Sequence, residues 1–176
     1  MKLAIVLIVL IILGILFIYN SLVKSRNKVN QSKSGIDVYL NQRFDLIPNL
    51  VQCVKAYSKH ENAIFEKVTE LRTTYNASKK LNDASKLNSA LNTILAIGEN
   101  YPELKASEQF LNLQRNLTKI ESQLQAARRI YNMDVTNFNN KIQTVPTNIF
   151  AKIFGFKEAE LFQIEEYKKD NINIEM

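Results

Sequence analysis

From Leu3 to Ile18 the chain reads LAIVLIVLIILGILFI, without one polar side chain, and only after Tyr19 do polar residues return. With Tyr19, Leu22 and Val23 included, the run approaches the ~20 residues a helix needs to cross a hydrocarbon layer about 30 Å thick. A cleaved signal peptide has a shorter apolar core, about 7–15 residues, followed by small residues at the cleavage point. The run here is longer, and FIYNSLVKSR behind it offers no such point. No cysteine follows closely enough to carry a lipid anchor. Residues 1–23 are therefore predicted to be an uncleaved transmembrane helix.

Beyond the anchor, apolar positions can be followed in steps of seven. One seam runs Val29, Ile36, Arg43, Leu50, Tyr57, Ile64, Leu71; the other runs Lys33, Leu40, Ile47, Val54, Glu61, Val68, Tyr75. Both cross Pro48, in NQRFDLIPNL, without slipping. A corner would orient its two helices independently, with no reason to keep that phase. A helix bent at Pro48 keeps it. The bend costs roughly 3 kcal/mol for the missing N–H and the crowded carbonyl of Phe44. Seam burial offsets this, at roughly 1.5–3 kcal/mol for each well-buried Leu, Ile or Val. No glycine or proline lies between Ile15 and Ser34, so the pattern predicts one kinked helix passing from the membrane into the domain, with Gly35 its weak point.

A second helix is predicted over residues 83–97 from Ala84, Leu87, Leu91 and Ile94 or Leu95, with Asn82 as cap and Gly98 and Pro102 marking its end. The third carries the clearest repeat: Phe110, Leu117, Leu124, Tyr131, Phe138, Val145, with Leu113, Ile120 and Ala127 beside them. Val135 and Ile142 then fall one position late, the drift of a straight helix of 3.6 residues per turn against a seven-residue pattern. This predicts a helix packed in a globular bundle, where a long dimeric coiled coil would hold the strict repeat. Pro146 stops it; Thr147 is placed to cap a short helix over NIFAKIF, closed by Gly155. Phe150, Phe154, Phe156 and Phe162 make the tail aromatic, which predicts a lid over one end of the core, with a docking patch as the alternative.

Short connections make successive helices antiparallel neighbours. The expected fold is all-α: an N-terminal transmembrane helix continuing into an antiparallel up-and-down four-helix bundle over residues 24–168, with a frayed tail at 169–176. The third helix is longer than the second can cover, a mismatch the pattern does not explain.

Composition changes the picture in two places. Glycine and proline total seven of 176 residues, which suits an all-helical chain with few turns. The formal net charge of +6 would fit nucleic acid. Here the cations are dispersed and no nucleic-acid-binding motif accompanies them, so no such partner is expected. Their placement matters more. Lys24, Arg26, Lys28 and Lys33 follow the span before the first acid, Asp37, whereas only Lys2 and the terminal amine precede it. Cations are retained on the cytoplasmic side, so the expected topology has the N-terminus outside and the body cytoplasmic at the cell's inner membrane.

Candidate chemistry is sparse. His60–Glu61 opens like the zinc motif HExxH, but position 64 is Ile and the chain has no other histidine. Cys53 is the only cysteine, which removes an internal disulfide and a multi-cysteine metal cage. Four glycines stand singly, at 14, 35, 98 and 155, so no phosphate loop is present. No catalytic residue, metal or cofactor is predicted. Asp45, Glu61, Glu108, Glu121 and Asp134 read as caps and solvated or bridged surface groups. Two seam positions are polar, Arg43 and Glu61, where an aliphatic residue would suit the repeat. A buried charge needs a partner, since breaking a buried pair costs about 3–5 kcal/mol. Arg43 and Glu61, too far apart on one helix to satisfy each other, are therefore expected either to form ion pairs across the bundle, or in the case of Arg43 to snorkel, or to line a partner site, with Arg128, Arg129 and Asp134 on the third helix as candidate partners.

Two stretches carry a family resemblance. One is YNSLVKSRNKVNQSKSGIDVYLNQRFDLIPNLVQCVKAYSKHE, residues 19–61, and the other runs from YPELKASEQF to NIFAKIFGF, residues 101–156. Through RFDLIPNLV, ARRIYN and VTNFN in particular, the chain resembles the LemA family of bacterial membrane proteins. It departs in Gln42, where the family usually has a basic residue, and in Ala56, where glycine is usual. The resemblance implies a single anchor, an up-and-down bundle, a cytoplasmic body and no established enzyme activity. It also implies accessory work in envelope stress or membrane-protein quality control. The expected function is a non-enzymatic, membrane-anchored interaction module whose partners are the bilayer and another membrane or membrane-associated protein. The alternative is a sensor of anionic membrane through Lys24–Lys33, at about 1 kcal/mol per cation.

Overall fold

The computed structural model describes residues 1–58 and 62–162, and for Leu81 and Asn82 the backbone alone. The described residues form helices α1 (Lys2–Asp45), α2 (Ile47–Lys55), α3 (Asn62–Ser78), α4 (Leu81–Glu99), α5 (Pro102–Lys105), α6 (Glu108–Gln143) and α7 (Thr147–Ile153), and no strand among them. The frayed tail expected at 169–176 lies outside the described residues, as does Glu61.

The first helix runs unbroken from the apolar segment to Asp45. Its apolar side chains from Leu3 to Leu13 are all exposed, and the protein covers none of the membrane-spanning window. At Pro48 the joint is a single residue. Leu46 keeps right-handed helical angles (φ −80°, ψ −14°), and Pro48 falls in the first turn of α2, where a missing N–H costs nothing. The buried stripe passes straight across: Ile36, Leu40, Phe44, Ile47, Leu50 and Val54 are all buried. Phase is kept, as the repeat predicted.

The repeat misleads further on. It predicted one helix through Tyr75, but α2 ends at Lys55, and Tyr57, assigned to a seam, is exposed. Next, α3 returns antiparallel: Arg72 Nη2 bonds Asp45 at 3.3 Å, Tyr75 meets Phe44 edge-on at 4.9 Å, and Lys79 Nζ bonds Asn41 at 3.0 Å. The buried positions of α3 are Phe65, Val68 and Tyr75: Val68 and Tyr75 keep their seam, whereas Phe65 is buried in place of Ile64, which is only half-buried. A seven-residue spacing cannot report direction, and the stretch from Lys55 to Glu61 holds neither glycine nor proline to mark the reversal.

Contacts divide the chain into two units, one of Asp37–Gln125 and one of the residues up to Ile36 together with those from Ala126 onward. Within the former, the end of α1 with α2, then α3, α4 and the first half of α6 form an up-and-down four-helix bundle. On its α6 side, Asn49 lies beside Glu108 and Asn112, and Arg43 pairs with Glu121, so α6 runs opposite to α1–α2. Gln114 Nε2 reaches Glu99 at 3.3 Å, which sets α6 antiparallel to α4. Gly98, expected to end the second helix, lies within α4 and is buried.

In the membrane-proximal unit the second half of α6 packs antiparallel on α1. Lys141 Nζ bonds Ser21 Oγ at 3.3 Å, and Val29 buries against Val135 and Phe138. This resolves the length mismatch: the part of α6 that α4 does not cover lies along α1. Leu22, Ser25 and Val29 are already buried there, so packing begins within one helical turn of the apolar run. Val145, the last member of the α6 repeat, is exposed, because α6 stops at Gln143. Thr147 does not cap α7 with its side chain. Its hydroxyl turns back to the carbonyls of Lys141 and Thr144 and so closes α6. The end of α7 follows the sequence expectation: Gly155 is left-handed (φ +70°), Phe156 N–H bonds Ala151 O at 2.9 Å and Gly155 N–H bonds Lys152 O at 3.2 Å. These two bonds satisfy the last carbonyls of the helix.

Candidate functional site

The candidate residues fall into two separate places. In the bundle, Arg43 comes from the last turn of α1, where its charge also complements the helix C-terminus. It is buried, and Nη1 bonds Glu121 of α6, whose side chain is 28 % exposed. Nη2 lies 3.4 Å from Asn92 Oδ1 of α4. Three helices are thus tied through one guanidinium, whose planar fork can reach several acceptors at once. The pairing across the bundle is as expected, but the partner is Glu121 and not Arg128, Arg129 or Asp134. Those three lie seven or more residues further along α6, in the other unit. Arg128 sets its guanidinium 4.8 Å over the ring of Phe162, Arg129 is exposed, and Asp134 is half-buried.

In the membrane-proximal unit, Lys24, Arg26, Lys28 and Lys33 are all exposed, along the first turns after the span. In the same unit, the chain beyond α7 runs back along α6 as a strap. Asn139 donates to Ala159 O and accepts from Ala159 N–H, both at 2.9 Å. Asn132 does the same with Phe162, at 3.1 and 2.7 Å. Each amide side chain therefore replaces one rung of a β-ladder, satisfying both backbone groups of an extended residue. Tyr131 adds a bond to Glu160 O at 2.9 Å. Burial, and then the charge of Glu160, hold the Tyr131 hydroxyl above the usual tyrosine range. Phe156 packs against the Val29, Val135, Phe138 core, so this part of the tail is the expected lid. The strap was missed in the sequence. Its signal was two asparagines seven apart on a helix of hydrophobic periodicity, and they sit in ARRIYN and VTNFN, the stretches that carry the resemblance.

Also missed were Ile130 and Met133, both exposed, which place apolar side chains at outward positions of the α6 repeat beside Arg129. Cys53 is buried in the bundle, and desolvation raises its thiol above the ordinary range. As the thiolate is the reactive form, burial and raised pKa together make it slow to modify. Among the described residues, no three His, Cys, Asp or Glu side chains gather into a possible metal site.

Known proteins resemble this architecture in sequence. Protein LemA of Metamycoplasma hominis is 26% identical over 159 residues, which cover 88% of this chain and 73% of that protein. Magnetosome protein MamQ 2 of Paramagnetospirillum magneticum is 25% identical over 193 residues, covering 93% of this chain and 71% of that protein. Magnetosome protein MamQ of Magnetospirillum gryphiswaldense is 23% identical over 174 residues, covering 82% and 64% respectively. The model of the LemA family matches residues 32–176, nearly all of the chain outside the apolar segment. This membrane-associated helical protein belongs to the LemA family.

Proposed function

We propose that the chain is a non-enzymatic, membrane-tethered interaction module with its N-terminus outside and its helical body in the cytoplasm. One observation carries the reading: an apolar helix bare of protein cover continues without a break into the helix on which α6 packs. Such a helix fixes the membrane-proximal unit at the bilayer. That longer relatives, of which this chain spans about two thirds, carry names taken from the magnetosome supports a role tied to location more than to a reaction. The four exposed cations after the span support the orientation. The family resemblance favours accessory work in envelope stress or membrane-protein quality control, with Arg129, Ile130 and Met133 as the surface offered to a partner.

Photo-crosslinkers at Ile130 and Met133 of the full-length protein, in its native membrane, are expected to give light-dependent adducts with one membrane protein. An exposed control at Thr118 should give none. Equal or absent protein adducts at all three positions would remove the proposal.

Orientation is tested separately with Lys33→Cys. An impermeant maleimide should label it only after the membrane is opened, while the shielded Cys53 stays unlabelled until denaturant is added. Labelling of Lys33→Cys in intact cells would reverse the topology.

A further inference from the structure

The surface around α7 is apolar on two sides. Ala151 is buried and Phe150 half-buried toward the unit, as expected of a packed helix. Yet Ile149, Ile153 and Phe154 are exposed as well, Ile153 to 70 % and the preceding Val145 to 78 %. Residues 145, 149 and 153 are spaced by four, so Ile149 and Ile153 share one face of α7. A seven-residue helix with apolar groups on both faces is poorly suited to water.

Its position says what covers the second face. Tyr19, which ends the apolar run, meets Phe154 edge-on at 5.0 Å and Phe156 at 6.2 Å. The antiparallel register that sets Lys141 beside Ser21 carries the end of α6 toward the last apolar turn of the span. There, Phe17 is 77 % exposed. Lys152, on α7 itself, and Lys157, just beyond it, are exposed. Such lysines can lay their stems along apolar surface and raise their ammonium groups to phosphate. The nearest acids of this segment lie on the strap, where Glu158 is bonded to Gln143 and Glu160 lies beside Tyr131. An exposed apolar face, flanked by cations and continuous with a lipid-facing span, has the chemistry of the bilayer interface.

We propose that α7, with Val145, lies in the interfacial layer of the membrane beside the end of the span and forms a second point of contact with lipid. The membrane-proximal unit is then held at two places, which fixes its rotation about the span as well as its distance from the bilayer. The inference rests on residues 3–18 crossing the membrane, and its test includes a check of that.

Full-length protein with a single added cysteine at Ile149, Ile153, Leu10 or Asn30 is labelled with an environment-sensitive fluorophore, leaving the shielded Cys53 in place. Each is reconstituted into phosphatidylcholine–phosphatidylglycerol vesicles carrying nitroxide lipids. Probes at Ile149 and Ile153 should be quenched by nitroxide placed high on the acyl chain. They should be quenched by aqueous iodide several-fold less than the probe at Asn30. Iodide quenching equal to that at Asn30 would place α7 in water and overturn the proposal. Protection from iodide without lipid quenching would mean that protein, a partner or a second copy, covers the face, and would also overturn it. Loss of lipid quenching at Leu10 as well would remove the span, and the inference with it.

Discussion

Replacing Glu121 by leucine lowers the stability of the bundle by about 3 kcal/mol, the low end of the cost of breaking a buried ion pair. The low end applies because Glu121 keeps 28 % of its side-chain surface in water, whereas Arg43 keeps only 6 %. The loss comes from Arg43, whose charge stays buried after its bond to Glu121 is removed. Adding Arg43→Met removes the buried charge and leaves an unbranched apolar side chain. The double variant is expected to recover most of the loss, since hydrophobic replacement of a whole buried pair is often neutral or stabilising. Urea unfolding of the full-length protein in non-ionic detergent, followed by circular dichroism, measures all four corners of the cycle. Equal losses in Glu121→Leu and the double variant would show that the pair is not coupled.

Gly98→Ala is the second large effect, and intrinsic propensity gives it the wrong sign. Within a helix, alanine is favoured over glycine by about 1 kcal/mol. Here the added Cβ would stand 2.5 Å from Cζ and 2.7 Å from Cε2 of Phe110, and 3.4 Å from Cδ2 of Leu104. Phe110 is fully buried at the start of α6, so its ring cannot swing away without moving the α4–α6 contact. Overpacking of this kind typically costs 1–3 kcal/mol, so after the propensity gain a net loss of about 1 kcal/mol, and up to about 2 kcal/mol, is expected. The same detergent–urea experiment checks it. With Phe110→Leu as background the penalty for Gly98→Ala should shrink, because contacting residues couple. A stabilised Gly98→Ala would mean that the ring does not sit on Gly98.

These two residues also show how far the sequence could be read. Arg43 announced itself as a charge on an apolar seam, but nothing in the spacing distinguished Glu121 from other surface acids of α6; the partner is set by tertiary packing. Gly98 was legible as a glycine near a helix end, which is its statistical meaning. Its steric meaning, a seat for Phe110, depends on a contact twelve residues away. The α6 repeat, the α4 span and the kept phase at Pro48 were legible because each follows from local periodicity. The reversal after Lys55 was not, because periodicity carries no sign of chain direction and no breaker residue stands there. Thr147 was recognised as a capping residue but assigned to the wrong helix end, since a threonine between two helices can serve either. Of the membrane-proximal surface, the lysines were visible as a charge run, whereas the patch at Ile149 and Ile153 needed a knowledge of which side of α7 the domain uses.

The two asparagines that hold the strap lie seven residues apart on α6, about 10.5 Å at 1.5 Å per residue. Ala159 and Phe162 are three residues apart in extended chain, about 10 Å at roughly 3.3 Å per residue. The two scales coincide at that interval and not at the neighbouring ones, as the marks of a vernier do. Sliding the strap by a single residue would leave at least one amide facing the wrong edge of the backbone. The C-terminal segment is therefore indexed to one position on its helix, and Gly155 and the lid residue Phe156 are held in place with it.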